Sequence, residues 1–118
     1  MEYSNALKKF RPGPSAAEVE RMLTEIRPLA ERNRNREVYE KCLSCIDLTS
    51  LGATDSHDHI EKFVRKAVEF PARYPGLPGV ASVCVYPSFV ETAGIVIGES
   101  GLAITSVSGG FPSSQTYL

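Results

Sequence analysis

The chain has 118 residues, 42% of them hydrophobic and 23% charged, and a formal net charge of −1. That length holds at most one domain with a moderate core, and the composition is ordinary for a globular protein. The near-neutral charge gives no electrostatic reason to expect nucleic acid or an anionic membrane as partner. No apolar stretch approaches the roughly 20 residues that a spanning helix needs, and the opening Met1-Glu-Tyr-Ser-Asn5 lacks a basic region followed by an apolar one. Three cysteines cannot all pair internally; two of them lie in or beside predicted strands, which fits reduced thiols in a cytoplasmic protein.

Residues 1–14, with Lys8, Lys9, Arg11, Pro12, Gly13 and Pro14, read as an irregular arm. Ser15 with Glu18 three residues later is a capping-box pattern that opens a helix. Val19, Met22, Leu23, Ile26 and Leu29 recur at helical spacing through about Arg32, and Pro28 should kink or end that run. The charged segment 31–37 is a solvated connection, followed by a short helix around Val38–Cys42. An apolar run over Leu43–Leu51 predicts a strand. Thr54, Asp55 or Ser56 can then cap a helix through about Phe70, with Ile60, Phe63, Val64, Ala67 and Val68 as its core stripe.

Residues 71–79 hold three Pro and two Gly and predict a loop. A second apolar run, Val80–Pro87, leads into Ser88-Phe-Val-Glu91, another capping-box pattern, and a helix to about Gly98. Gly98 and Gly101 bracket a tight return into the third run, which starts at Leu102. After the turn Gly109-Gly-Phe-Pro112, residues 113–118 look like the opening of a further helix.

The alternation predicts an α/β fold with about three parallel strands and intervening helices, preceded over residues 1–42 by a helical extension. Chemistry in α/β enzymes gathers at the carboxyl ends of parallel strands, so Asp47, Thr49, Cys84, Tyr86 and Ser106 are expected to point toward one rim. Three strands leave two open edges, which invite pairing with another chain.

Asp47 between Ile46 and Leu48 is costly to bury unless hydrogen-bonded or paired. Either it serves proton transfer, with a carboxyl pKa raised by low dielectric or lowered by a nearby cation, or it satisfies a neighbouring backbone group or caps the next segment. Cys84 reads first as filling or pocket wall, because free cysteine behaves as a small hydrophobe and no His lies close in sequence. Cys42 and Cys45 form a C-x-x-C that precedes its strand, whereas a redox motif wants the first Cys at a helix amino terminus after one. His57-Asp-His59 sits in a predicted first turn, where alternate residues diverge by about 200° and cannot easily share one ion. No glycine-rich nucleotide motif follows a strand.

Ile46-Asp-Leu-Thr49 with Leu51, then Val83-Cys-Val-Tyr-Pro87, then Ile104-Thr-Ser-Val107 followed by Phe111-Pro112, resemble in order and spacing the deoxyribose-phosphate aldolases. The resemblance covers residues 43–118, and residues 1–42 look like the helical amino-terminal extension of longer members. It implies the first three units of a TIM (β/α)8 barrel and a class I aldolase without metal or other cofactor. Such an enzyme cleaves 2-deoxyribose 5-phosphate to acetaldehyde and glyceraldehyde 3-phosphate through a lysine Schiff base.

On the matching positions Asp47 would belong to the proton relay, Thr49 would hydrogen-bond substrate, and Cys84 would line the pocket. Tyr86 and Phe111 would shape that pocket. The partners implied are a sugar phosphate and aldehydes, in a homo-oligomer. The family's Schiff-base lysine comes from later strands, whereas this chain has only Lys8, Lys9, Lys41, Lys62 and Lys66. A barrel of this type needs about 250 residues, so the expectation is an amino-terminal portion, inactive alone. The alternative is a non-catalytic, self-associating half-barrel module.

Overall fold

The computed structural model describes residues 3–7, 9, 13–112 and 115. The chain forms two compact units, one within residues 1–35 and one within residues 36–118. The first contains helices α1 (Tyr3–Leu7) and α2 (Ala16–Ala30). Helix α2 starts where the sequence places it: Ser15 Oγ accepts from the Glu18 amide at 3.3 Å, and the Glu18 carboxylate accepts from the Ser15 amide at 2.7 Å. These reciprocal bonds satisfy two donors that a helix start leaves open. Pro28 lies inside α2, which still reaches Ala30. A single 3-10 turn, Glu31–Asn33, follows it.

The second unit runs α3 (Arg36–Ser44), β1 (Asp47–Thr49), α4 (His57–Arg73), β2 (Ser82–Val85), α5 (Val90–Ile97) and β3 (Ala103–Ser106). The strands form one sheet in the order β1-β2-β3, parallel throughout. Parallel neighbours need a long crossover, and α4 and α5 supply the two that this order requires. The sheet does not close, so the fold is α/β: an open part of a barrel-like architecture.

Alternation along the strands builds the core. Val83 and Val85 of β2 have no exposed surface and pack with Ile60, Val64 and Ala67 of α4 and Ala93 and Ile97 of α5. Leu48 and Ile104, in register with Val83, extend that apolar face onto β1 and β3. Each such aliphatic side chain contributes about 1.5–3 kcal/mol when fully removed from water. Gly98 (φ +50°) and Gly101 (φ +79°) turn the chain from α5 into β3, in conformations that side-chain-bearing residues rarely adopt.

Four local expectations are corrected. The segment 1–14 is not irregular throughout, because Tyr3–Leu7 close a short helix, α1. The run from Leu43 is not strand from its start: Leu43 and Ser44 complete α3, whose helical bonds outcompete extension there. Pro71 does not end α4, which continues to Arg73, because a proline in a last turn forfeits only one backbone bond. Ser88 caps no helix. Pro87 instead begins a 3-10 turn, Pro87–Phe89, and Ser88 Oγ donates to the Gln115 carbonyl at 3.0 Å. The predicted helix at 113–118 falls, Gln115 apart, outside the described residues. Among the described residues no helix is long and apolar enough to cross a membrane.

Ile60→Ala removes a fully buried side chain at the α4–sheet contact. We expect it to lower unfolding stability by about 2–5 kcal/mol. Ile95→Ala, on a side chain 77% exposed, should change stability by less than about 0.5 kcal/mol. Urea titration of both variants checks the contrast.

Candidate active site

The opposite face of the sheet carries the polar side chains. Register sets Asp47 beside Ser82, and Thr49 beside Cys84, which in turn neighbours Thr105. Because side chains alternate, these five residues stand on the side away from the helices. Ser82 Oγ donates to Asp47 Oδ1 at 2.6 Å, and Thr105 Oγ1 reaches Ser82 Oγ at 3.4 Å. A hydroxyl–hydroxyl–carboxylate row therefore spans all three strands. Thr49 Oγ1 donates to the Asp47 carbonyl at 3.0 Å.

The electrostatics of this face follow from its mixed exposure. Asp47 is exposed, not buried as its apolar neighbours in sequence imply, and its carboxyl group accepts from Ser82. Cys84 is buried beside it. Burial first, and then the negative charge of Asp47, push the Cys84 thiol above its ordinary range, against a smaller opposing effect of its hydrogen bond with Thr49. At neutral pH the thiol is protonated, a pocket wall rather than a ready nucleophile.

The residues expected on one rim are divided by the fold. Asp47, Thr49 and Cys84 share the polar face. Tyr86 is fully buried in the core cluster, and its hydroxyl donates to the Leu51 carbonyl at 3.0 Å. Ser106 follows Ile104 by two and lies on the helix side of β3, its hydroxyl turned to the Val107 carbonyl at 3.2 Å. Phe111 is 63% exposed, in the turn after β3.

Sequence reasoning overlooked Ser82 and Thr105. The signal was present: Ser82 precedes Cys84 by two residues, the strand period, and so must share its face. It also overlooked how the loops at the carboxyl ends are fixed. Asp55 accepts from Ser50 Oγ and the Gly52 amide, both at 2.9 Å, closing the loop between β1 and α4. A Cβ on Gly52 would stand 2.9 Å from Asp55 Oδ1, a contact no side chain makes without displacing the carboxylate. The Gln115 side-chain amide donates to the carbonyls of Ala53 at 2.8 Å and Gly52 at 3.2 Å.

The two histidines turn to different partners. His57 Nδ1 meets Thr92 Oγ1 at 2.6 Å while its ring packs edge-on against Phe89, and His59 Nε2 lies 3.7 Å from Asp55. Among the described residues no three His, Cys, Asp or Glu side chains gather as a metal centre would require.

Cys84 should react with iodoacetamide more slowly than the exposed Cys42 and Cys45, and all three should react alike in denaturant. Because folding raises the Cys84 value, its protonated form contributes stability below the ordinary thiol range, which is lost as pH rises through the raised value. The stability difference between wild type and Cys84→Ala should therefore narrow above the ordinary thiol range. Peptide mass mapping and urea titration at several pH values read these outcomes.

The curated proteins that match this chain carry the same name. A Caenorhabditis elegans protein provisionally named deoxyribose-phosphate aldolase is 31% identical over 103 residues, covering 86% of this chain and 34% of its own length. The Bos taurus and Homo sapiens deoxyribose-phosphate aldolases are 35% and 34% identical over 89 residues, covering 66% of this chain and 28% of theirs. No family model matches the chain, and no solved structure does. The chain thus spans about a third of the length of the curated relatives it matches, and over that stretch it is similar to the deoxyribose-phosphate aldolases.

Proposed function

We propose that this chain supplies part of a class I aldolase site, for reversible cleavage of 2-deoxyribose 5-phosphate to acetaldehyde and glyceraldehyde 3-phosphate. The observation that carries the reading is the carboxylate–hydroxyl–thiol face of the sheet in a chain whose matched relatives bear the aldolase name. In this reading Asp47 binds a substrate hydroxyl and relays a proton, with Ser82 fixing its carboxylate. Thr49 offers a hydroxyl one strand step further on. Cys84, neutral and buried, forms an uncharged wall beside the reacting carbon. Tyr86 acts from behind the sheet by holding the Leu51 carbonyl, and Phe111 provides an apolar surface near the strand ends.

The chain's part does not include the amine that forms the Schiff base. A nucleophilic lysine needs a depressed pKa, obtained by desolvation or a neighbouring cation. Lys62 has the reverse surroundings: it is exposed on α4, and its ion pair with Asp58 at 2.7 Å raises its value. Lys41 and Lys66 are exposed on α3 and α4, and among the described residues no strand contains a lysine. Residues beyond this sheet must provide the amine, so these 118 residues alone are inactive.

A second reading, a non-catalytic module that associates with its own copies, is favoured by one observation. Among the described residues β1 and β3 each pair only with β2, which leaves an open edge on either side. Homo-oligomerisation and a cytoplasmic location are part of the proposal.

Borohydride reduction in the presence of acetaldehyde should trap no lysine adduct above the level seen with denatured chain. A stoichiometric adduct on any lysine would refute the missing-amine assignment. Titration with 2-deoxyribose 5-phosphate, followed by amide chemical shifts, should perturb Asp47, Thr49 and Cys84, and Asp47→Asn should abolish those perturbations. Shifts confined to other surfaces, with concentration-dependent sedimentation, would favour the association module instead.

A further inference from the structure

Cys42 and Cys45 are unused by the site above, and both are exposed. Cys42 lies in the last turn of α3, and Cys45 is the turn residue directly after it. The Cys45 amide donates to the Cys42 carbonyl at 3.1 Å. A turn closed by that i to i+3 bond holds its end Cα atoms within about 7 Å, and a disulfide spans Cα separations of about 4.4–6.8 Å. Residues three apart in a helix also share a face, with Cβ atoms about 5–6 Å apart. A disulfide needs them at about 3.5–4.5 Å, so closure asks for a small further approach. Cys45 can supply it, because it stands outside the helical bonds of α3.

From this geometry we infer that Cys42 and Cys45 are a vicinal dithiol, a modification site at which small oxidising disulfides close an intramolecular bridge. With glutathione disulfide, one cysteine thiolate attacks a glutathione sulfur and expels a glutathione thiolate, forming a mixed disulfide. The second cysteine then attacks the protein-bound sulfur, releasing the other glutathione. Two protein thiols are oxidised, one glutathione disulfide is reduced to two thiols, and the two protons pass to the departing thiolates. Cys84 stays out of the exchange because it is buried and protonated at neutral pH.

The bridge is placed beside the sheet. It would tie the end of α3 to the residue preceding Ile46, whose carbonyl accepts from the Ala81 amide at 2.9 Å and anchors β1 to the approach to β2. The inference is independent of the aldolase reading, since it uses neither the polar face nor any substrate.

The test is equilibration of the reduced, folded chain with glutathione and glutathione disulfide, followed by acid quench, alkylation and mass mapping. The expected product has lost the mass of two hydrogens, with alkylation lost at Cys42 and Cys45 and retained at Cys84 after unfolding. Cys42→Ser should give no bridged form and instead keep glutathione on Cys45. Wild-type chain that accumulates glutathione on Cys42 and Cys45 without bridging, forms only interchain disulfides, or remains fully reduced would overturn the inference.

Discussion

Burial of β2 on both faces is the constraint from which the rest of the second unit follows. Ser82 through Val85 are all buried, although the strand is only four residues long. A strand in that position must be paired on both edges, since unpaired backbone groups away from water are costly. The parallel neighbours β1 and β3 satisfy it, and α4 and α5 are the crossovers that parallel pairing demands. Val83 and Val85 hold those helices against one face, and the alternate residues Ser82 and Cys84 are thereby committed to the other.

That commitment creates the polar face. Ser82 is buried between two strands, and its hydroxyl finds a carboxylate on one side and the Thr105 hydroxyl on the other. The row gives Asp47 a fixed orientation while leaving it exposed. Cys84, a step along, lies too deep for easy ionisation. An exposed acid, neighbouring hydroxyls and a buried thiol make a surface rich in hydrogen-bonding groups. Among the described residues none of its three strands contains a lysine.

The carboxyl ends of the strands are organised separately, by loop chemistry. Tyr86 reaches from the core to the Leu51 carbonyl, Asp55 closes its own loop, and Gln115 bridges to carbonyls of the same loop. These bonds link the segments after β1, β2 and β3 without drawing on the polar face.

Much of this was legible in the amino-acid order. The three apolar runs, the Ser15–Glu18 box, a helix start within residues 54–56 and the glycine turn into β3 are local signals, decided by hydrogen bonds and backbone freedom within a few residues. The kinship motifs around Asp47, Cys84 and Phe111 were equally readable. Register and burial were not. Whether Asp47 is buried, whether Tyr86 faces core or solvent, and on which side Ser106 stands depend on residues about 20–40 positions away, brought near only by parallel pairing. Ser88 has the local pattern of a cap yet bonds Gln115, because a proline-led turn and a distant carbonyl offered its hydroxyl a better partner. Sequence alone determined which segments are helix or strand and which relatives the chain resembles; tertiary structure decided which side chains share a face, because strand alternation selects a side only once a neighbour fixes the register.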